Sequence, residues 1–88
     1  MKVEFLEKFN KDLDYIQLSF VKKAVERVIL EAESANHIQE MRNVKRMQGS
    51  RIAYRIRIGD YRIGVFYENG VIQFVRVANR KDIYRVFP

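Results

Sequence analysis

The chain has 88 residues, 48% of them hydrophobic, which is enough for one domain with a small core. It has no cysteine, so disulfide bonds and thiolate metal sites are excluded. Its net charge of +6 is unevenly distributed. Residues 1–40 carry six Lys or Arg and eight Asp or Glu, a net of −2, whereas residues 41–88 carry eleven and three, a net of +8. Such a basic half is typical of proteins that bind nucleic acids or acidic peptides.

Other function classes find no support in the sequence. No apolar run approaches the roughly 18 residues of a membrane span, and no signal-peptide pattern precedes the first charges. His37 is the sole histidine and has no partner by spacing, so we interpret it as a surface residue. We expect a single cytoplasmic domain over residues 1–88, without a metal ion or a cofactor.

The first 36 residues predict a strand followed by two helices. Lys2–Phe5 alternates as a short edge strand, and a stripe with helical spacing then begins at Leu6. That stripe consists of Leu6, Phe9, Leu13 and Ile16. Ser19 is a candidate N-cap for the second helix. Its buried stripe would be Val21, Ala24, Val25, Val28, Ile29 and Ala32. Because the break between the helices is short, we expect an antiparallel helical hairpin.

Residues 51–79 alternate with the period of two that marks half-buried strands, and they predict three antiparallel strands. A turn at Gly59-Asp60 fixes the first register. It pairs Ile58 with Tyr61, Arg57 with Arg62, Ile56 with Ile63, and Arg55 with Gly64. One face is then apolar and includes Tyr54, Tyr61 and Tyr67, whereas the other gathers Arg55, Arg57 and Arg62.

The second turn, around Asn69-Gly70, leaves two registers open. A two-residue turn pairs Tyr67 with Ile72 and places Arg76 on the apolar face. A three-residue loop with a bulge at Gly70 pairs Tyr67 with Val71 and places Arg76 opposite Arg62. We favour the second register, because an unpaired arginine against the helices would be costly.

The predicted fold class is α+β, in the order β-α-α-β-β-β, with the helical hairpin packed on one face of a small twisted antiparallel sheet. The other face would be concave and basic. Like charges opposite each other on neighbouring strands destabilise a sheet. Arginine also recognises phosphate with two parallel hydrogen bonds. The arginine face therefore indicates a phosphate-rich partner rather than a solubilising surface.

Two runs, YRIRIGDYRI at residues 54–63 and NRKDIY at residues 79–84, resemble the RelE/ParE superfamily of bacterial and archaeal toxins. The preceding VEF strand and the helical hairpin fit the same superfamily, so the resemblance covers nearly the whole chain. It implies the toxin of a type II toxin–antitoxin system. In the RelE branch, the implied activity is that of an endoribonuclease that cleaves mRNA in the ribosomal A site and inhibits translation.

The resemblance also implies the site residues. In that reaction the ribose 2′-OH attacks the adjacent phosphodiester and leaves a 2′,3′-cyclic phosphate. The implied catalytic residues are Arg57, Arg62, Arg80 and Tyr84, with Tyr84 stacking on or orienting the target nucleotide. Further RNA contacts are expected from Lys45, Arg46, Arg51, Arg55, Arg76, Lys81 and Arg85.

One departure from the RelE pattern bears on the chemistry. The RelE branch has lysines where this chain has Arg55 and Arg57, and a guanidinium is effectively always protonated. Neither arginine can therefore act as a general base. The base would be Tyr84 or Glu68, or the reaction would depend mostly on positioning and charge stabilisation.

The resemblance further implies two binding partners, a cognate antitoxin and the ribosome with bound mRNA. The ParE branch shares the fold but acts on DNA gyrase. A gyrase inhibitor and a non-catalytic RNA- or protein-binding relative thus stay open as alternatives. Arg80 and Tyr84 together favour the RelE branch.

Overall fold

The chain forms one five-stranded sheet with helical segments on both faces. A computed structural model describes all residues from Met1 to Pro88. Its elements are β1 (Lys2–Phe5), α1 (Glu7–Tyr15), α2 (Ser19–Ser34), a 3-10 turn (Ile38–Glu40), β2 (Val44–Arg46), β3 (Ala53–Ile58), β4 (Tyr61–Glu68), β5 (Val71–Asn79) and α3 (Ile83–Val86). The predicted α+β class is confirmed, and β2 and α3 add to the predicted order. None of the helices has the length and apolarity that crossing a membrane requires.

The sheet is mixed rather than purely antiparallel. Its strand order is β1-β5-β4-β3-β2, and β1 lies at one edge as predicted. However, β1 runs parallel to β5, with Lys2 opposite Val71 and Phe5 opposite Phe74. Parallel neighbours need a long connection between them, and the helices and the β2–β4 segment supply it here.

Both long helices pack on one face of the sheet and form the main core with it. Phe9 of α1 is buried there against apolar residues of β3, β4 and β5. Four of the six residues of the predicted α2 stripe, Val21, Val25, Val28 and Ala32, are buried with it, whereas Ala24 and Ile29 are half-buried. Tyr54, Tyr61 and Tyr67 pack partly buried against this core, as predicted. The N-cap prediction was wrong by one position. Ser19 is the first residue of α2, and Leu18 precedes it with no side-chain cap.

The predicted β3–β4 register is confirmed, but the favoured β4–β5 register is wrong. Tyr67 pairs with Ile72 across a two-residue turn. Both turn residues have positive φ, 55° at Asn69 and 76° at Gly70, which suits a tight hairpin. A bulge between Gly64 and Val65 then shifts the register, so Arg76 lies opposite Gly64 and Arg62 opposite Ala78.

The second face of the sheet is only partly open, whereas the sequence predicted a concave, basic face there. A small apolar cluster covers the rest of it, formed by Met47, Ala53, Ile83 and Phe87 with Phe66, Val75 and Ala78 packed around them. Gly64 makes room for the Phe87 ring, because a Cβ there would lie 2.5 Å from the ring carbons. This contact anchors α3 on the sheet beside the open, basic part.

Candidate functional site

Four arginines converge on the open part of the second face. Arg57 of β3 lies directly opposite Arg62 of β4, and Arg55 lies on the same face of β3. Burial lowers the pKa of Arg62, and the charges of Arg55, Arg57 and Arg80 lower it further. All three guanidinium groups are thus close enough to repel Arg62. We call Arg55, Arg57, Arg62 and Arg80 the arginine cluster.

The β3–β4 turn holds Arg62 in a fixed position. Its Nη1 donates hydrogen bonds to the carbonyl oxygens of Gly59 at 2.8 Å and Tyr61 at 2.9 Å. Its Nε and Nη2 atoms make no hydrogen bond to the protein. These donors are therefore preorganised for an external acceptor, an arrangement that stabilises a developing anion well.

A groove of about 320 Å³ runs between β2 and the arginine cluster. It is lined by Asn43, Val44, Lys45, Arg55, Arg57 and Arg62. Lys45 lies opposite Arg55 across the β2–β3 pair, so it adds a fifth cation to this wall. Phosphate groups are the natural ligands for such a groove.

Asn43 is a residue of this groove that the sequence analysis missed. Its backbone has a positive φ of 62°, and its carbonyl accepts a hydrogen bond from the Arg57 N–H at 3.0 Å. The signal available in the sequence was weak, because asparagine tolerates left-handed backbone in many loops.

Tyr84 and Arg80 reach the site from the C-terminal segment. Ile83 and Phe87 anchor α3 in the small cluster and leave the Tyr84 ring 57% exposed. The guanidinium carbon of Arg55 lies 5.5 Å from the centroid of that ring, a cation–π contact. The Arg80 N–H donates to the Asp60 carbonyl at 2.8 Å, which ties Arg80 to the β3–β4 turn.

Arg76, predicted to contact RNA, is engaged elsewhere. Its Nε and Nη2 donate to the two carboxylate oxygens of Asp12 in α1, at 2.7 and 3.0 Å. Only 21% of the Arg76 side chain and 18% of the Asp12 side chain are exposed. The hydrogen bond to Asp12 raises the pKa of Arg76. We therefore assign Arg76 to the fold rather than to the arginine cluster.

The other predicted RNA contacts are dispersed. Arg51 pairs with Glu68 at 3.4 Å, at the far end of β4. Arg46 lies opposite Tyr54, which packs on the helix-covered face, so Arg46 belongs to that side. Lys81 and Arg85 are exposed on the C-terminal segment, where Arg85 forms an ion pair with Asp82.

The position of Glu68 separates the two general-base candidates. Glu68 lies six positions after Arg62 along β4, a distance of about 20 Å along an extended strand. The Glu68 carboxylate also accepts a hydrogen bond from Nη2 of Arg51. The expectation that Glu68 lies near the site was therefore wrong, and Tyr84 is the remaining candidate of the two.

Comparison with known proteins identifies the family. The family described as ParE toxin of type II toxin–antitoxin system, parDE, matches residues 3–84. The chain belongs to the RelE/ParE toxins. A curated relative, toxin RelE3 of Methanocaldococcus jannaschii, is 37% identical to this toxin over the whole of both chains.

Solved structures agree with this membership. The toxin superposes on the RelB–RelE antitoxin–toxin complex from Methanococcus jannaschii with a TM-score of 0.82 and 34% identity, over 97% of this chain and 99% of the other. It also superposes on the intact Escherichia coli RelBE complex with a TM-score of 0.69, over 89% and 94% of the chains. At 18% identity, the E. coli structure supports the fold alone.

Proposed function

We propose that this toxin is a ribosome-dependent endoribonuclease that cleaves mRNA in the A site and thereby inhibits translation. The observation that carries the proposal is the convergence of the four-arginine cluster with an exposed Tyr84. Such a surface offers cations for a phosphodiester and an aromatic ring for a base. Stacking of a base on an aromatic side chain contributes about 1–3 kcal/mol in single-stranded nucleic-acid sites.

The proposed reaction needs no group beyond the RNA and the protein. The ribose O2′ loses its proton and forms a bond to the adjacent phosphorus, while the bond from phosphorus to O5′ breaks and O5′ takes up a proton. The products are a 2′,3′-cyclic phosphate and a free 5′-OH. Negative charge develops on the phosphoryl oxygens, where Arg57, Arg62 and Arg80 would stabilise it.

Few side chains in the site can accept or donate the protons of this reaction. The arginines stay protonated and cannot act as bases. The Tyr84 hydroxyl is the ionisable group that α3 holds beside Arg55. We therefore assign to Tyr84 the role of the base that accepts the proton from O2′. Alignment of the mRNA on the ribosome would contribute the rest of the acceleration.

We infer two partners, a cognate antitoxin and the ribosome with its mRNA, which places the toxin's action in the cytoplasm. The first is supported by the related M. jannaschii structure, which is a toxin–antitoxin complex. The second rests on the concentration of positive charge around the site, since rRNA and mRNA present phosphates on all sides.

Inhibition of DNA gyrase is the second candidate. It is favoured by the description of the matching family, which is that of the ParE toxin. The presence of Tyr84 beside the arginine cluster, which includes Arg80, favours the nuclease instead. Inhibition through a protein surface requires neither a phosphate site nor a stacking ring.

Induced expression of the toxin in bacterial cells tests these candidates. The nuclease predicts growth arrest with an early loss of methionine incorporation while plasmid supercoiling stays intact. Arg62→Ala and Arg80→Ala should each relieve the arrest, whereas the control Lys23→Ala, on the exposed face of α2, should not. Loss of supercoiling before translation would instead identify a gyrase inhibitor. Absence of arrest in the wild type would indicate a binding protein.

A further inference from the structure

One carboxylate lies beside the arginine cluster. Asp60 is the second residue of the β3–β4 turn, and the Gly59 carbonyl before it accepts a hydrogen bond from the Arg62 guanidinium at 2.8 Å. The Asp60 carbonyl accepts a hydrogen bond from the Arg80 N–H, also at 2.8 Å. Asp60 and Arg57 line one groove, between α2 and this turn. Three of the four arginines in the cluster are therefore neighbours of the turn that carries Asp60.

The Asp60 carboxylate is near these cations but forms no ion pair with them. All six ion pairs of the protein involve other carboxylates. The charge of Asp60 nevertheless acts on Arg62. Burial and the charges of the other three arginines lower the pKa of Arg62, and the Asp60 charge acts against this shift. Because Asp60 is exposed, an anion that enters the site from solvent would meet its charge.

Asp60 lowers the positive potential of the cluster without occupying its hydrogen-bond donors. Nη1 of Arg62 donates to backbone carbonyls, and Nε and Nη2 remain free for a phosphate. A carboxylate paired with Arg62 would have taken these donors. At its actual position, Asp60 repels a bound phosphate through space. The site therefore keeps the donors that orient a phosphate but holds it less tightly than its four arginines alone would.

The geometry of the turn does not explain an acid at this position. Gly59 has a φ of 63°, which suits the first position of a tight two-residue hairpin turn. In such turns the glycine is followed by Asn or Ser as well as by Asp. A neutral residue would thus satisfy the turn, and it would leave the full charge of the arginines facing solvent. The negative charge is the property that distinguishes Asp60 from those alternatives.

We infer that Asp60 is a specificity-determining residue for the proposed reaction. Its charge weakens the binding of RNA phosphates to the arginine cluster, which disfavours RNA that is free in solution. The inference rests on the proposed function, because an mRNA that the ribosome already holds in the A site needs little affinity for the toxin. Free RNA has no such anchor. Weak binding of the ground state also leaves the arginines to act mainly on the charge that develops during cleavage.

Asp60→Asn removes the charge and keeps a side chain that suits the turn. The first probe is inorganic phosphate, titrated against the full chain, with the melting temperature as the readout of binding. We expect Asp60→Asn to bind phosphate about three- to tenfold more tightly than the wild type at low salt. The gain should shrink at high ionic strength, where exposed charges are screened. A merely structural role predicts the opposite sign, because a displaced turn would lose its contacts with Arg62 and Arg80.

The second probe is a single-stranded RNA. A fluorescent 2′-O-methyl oligonucleotide of about six residues has a length that such sites bind. It cannot be cleaved, because its attacking 2′-OH groups are blocked. Fluorescence anisotropy should give an affinity that is severalfold higher for Asp60→Asn than for the wild type. An affinity that is unchanged or lower would overturn the inference.

Asp14→Asn is the matched control. Asp14 is also exposed, but it lies on α1, in the helical layer on the other face of the sheet. This variant has the same net charge as Asp60→Asn, so it reports the general effect of one added positive charge. It should leave the affinity for both probes within about twofold, because solvent screens a distant charge. Equal gains in Asp14→Asn and Asp60→Asn would overturn the inference.

The outcome is separable from that of the proposed function, because neither probe is cleaved. Tighter binding of both probes by Asp60→Asn, together with intact mRNA on the ribosome, would support the role of Asp60 and contradict the nuclease. Cleavage in the A site, together with unchanged binding by Asp60→Asn, would contradict the inference about Asp60 alone.

Discussion

Arg62 and Arg76 lie in neighbouring strands of one sheet, yet their surroundings are opposite. Arg76 has the Asp12 carboxylate against its guanidinium, and that hydrogen bond raises its pKa. Arg62 has three arginines near it, and burial together with their charges lowers its pKa. A paired arginine of this kind belongs to the fold. Arg62 forms no ion pair within the protein, and only the charge of Asp60 offsets the repulsion, which supports the proposal that an external anion binds there.

The two pKa shifts have opposite consequences for stability. The raised pKa of Arg76 means that the folded state holds this proton more tightly, so the pair stabilises the fold at every pH below the ordinary arginine range. The lowered pKa of Arg62 means that the charged form is disfavoured on folding. That cost is present throughout the neutral range and is relieved only as the pH rises towards the arginine pKa.

The largest expected effect is on catalysis. Arg62→Ala should lower single-turnover cleavage on programmed ribosomes by about 10²–10³-fold, because it removes preorganised donors from the developing phosphoryl charge. Its free energy of unfolding should stay equal or rise, since a repelled cation is lost. Chemical denaturation provides that check. A parallel loss of activity and stability would mean that Arg62 is structural.

Next in size is the Arg76–Asp12 pair. Arg76→Ala should lower the free energy of unfolding by about 2 kcal/mol, less than for a fully buried pair because one fifth of the side chain is exposed. Asp12→Ala should cost at least as much, because the Val77 N–H also donates to this carboxylate at 3.1 Å. Urea denaturation of both single variants and the double variant measures the coupling. Additive effects would contradict the pairing.

The contact of α3 with the sheet should show a smaller effect. Gly64→Ala places a Cβ against the Phe87 ring and should cost about 1–2 kcal/mol by overpacking. It should also displace Tyr84 from Arg55 and lower the cleavage rate. Adding Phe87→Leu removes the ring and should restore part of the stability. A Gly64→Ala variant as stable and active as the wild type would show that α3 does not dock as described.

The smallest effect concerns repulsion within the arginine cluster. Arg57→Gln should raise the free energy of unfolding by about 0.5 kcal/mol, the scale of a like-charge cross-strand pair. Inorganic phosphate should raise the melting temperature of the wild type more than that of Arg57→Gln. Lys23→Gln serves as the charge-matched control, because Lys23 is exposed on α2, across the sheet from the arginine cluster. Equal phosphate responses in all three proteins would argue against an anion site.

Local sequence periodicity predicted the parts of the fold that depend on local rules. The alternation around Gly59-Asp60 was sufficient for the whole β3–β4 register, because a two-residue turn fixes the pairing. The prediction of the β4–β5 register failed because it assumed that an Arg76 facing the helices would have no carboxylate partner. Its partner, Asp12, lies 64 residues away in α1, and a bulge brings the two together. Neither is visible from local spacing.

The site could be predicted in part for the same reason. Arg55, Arg57 and Arg62 share a face by alternation, so their proximity followed from the register. Arg80 and Tyr84 came from the family resemblance. Glu68 was wrongly expected near the site, because β4 is one extended strand from Arg62 to Glu68 and separates the two by its length. Asn43 could not be predicted as a groove residue, because its position depends on a loop conformation that the sequence does not specify.

The central claim is that the arginine cluster and Tyr84 act on ribosome-bound mRNA, and toeprinting tests it most directly. Purified toxin is added to ribosomes programmed with a defined mRNA, and in parallel to the same mRNA free in solution. We expect new 5′ ends confined to the A-site codon, lost in Arg62→Ala and retained in Lys23→Ala. Intact mRNA in both settings would contradict it and would leave the arginine cluster as a docking surface for another acidic partner.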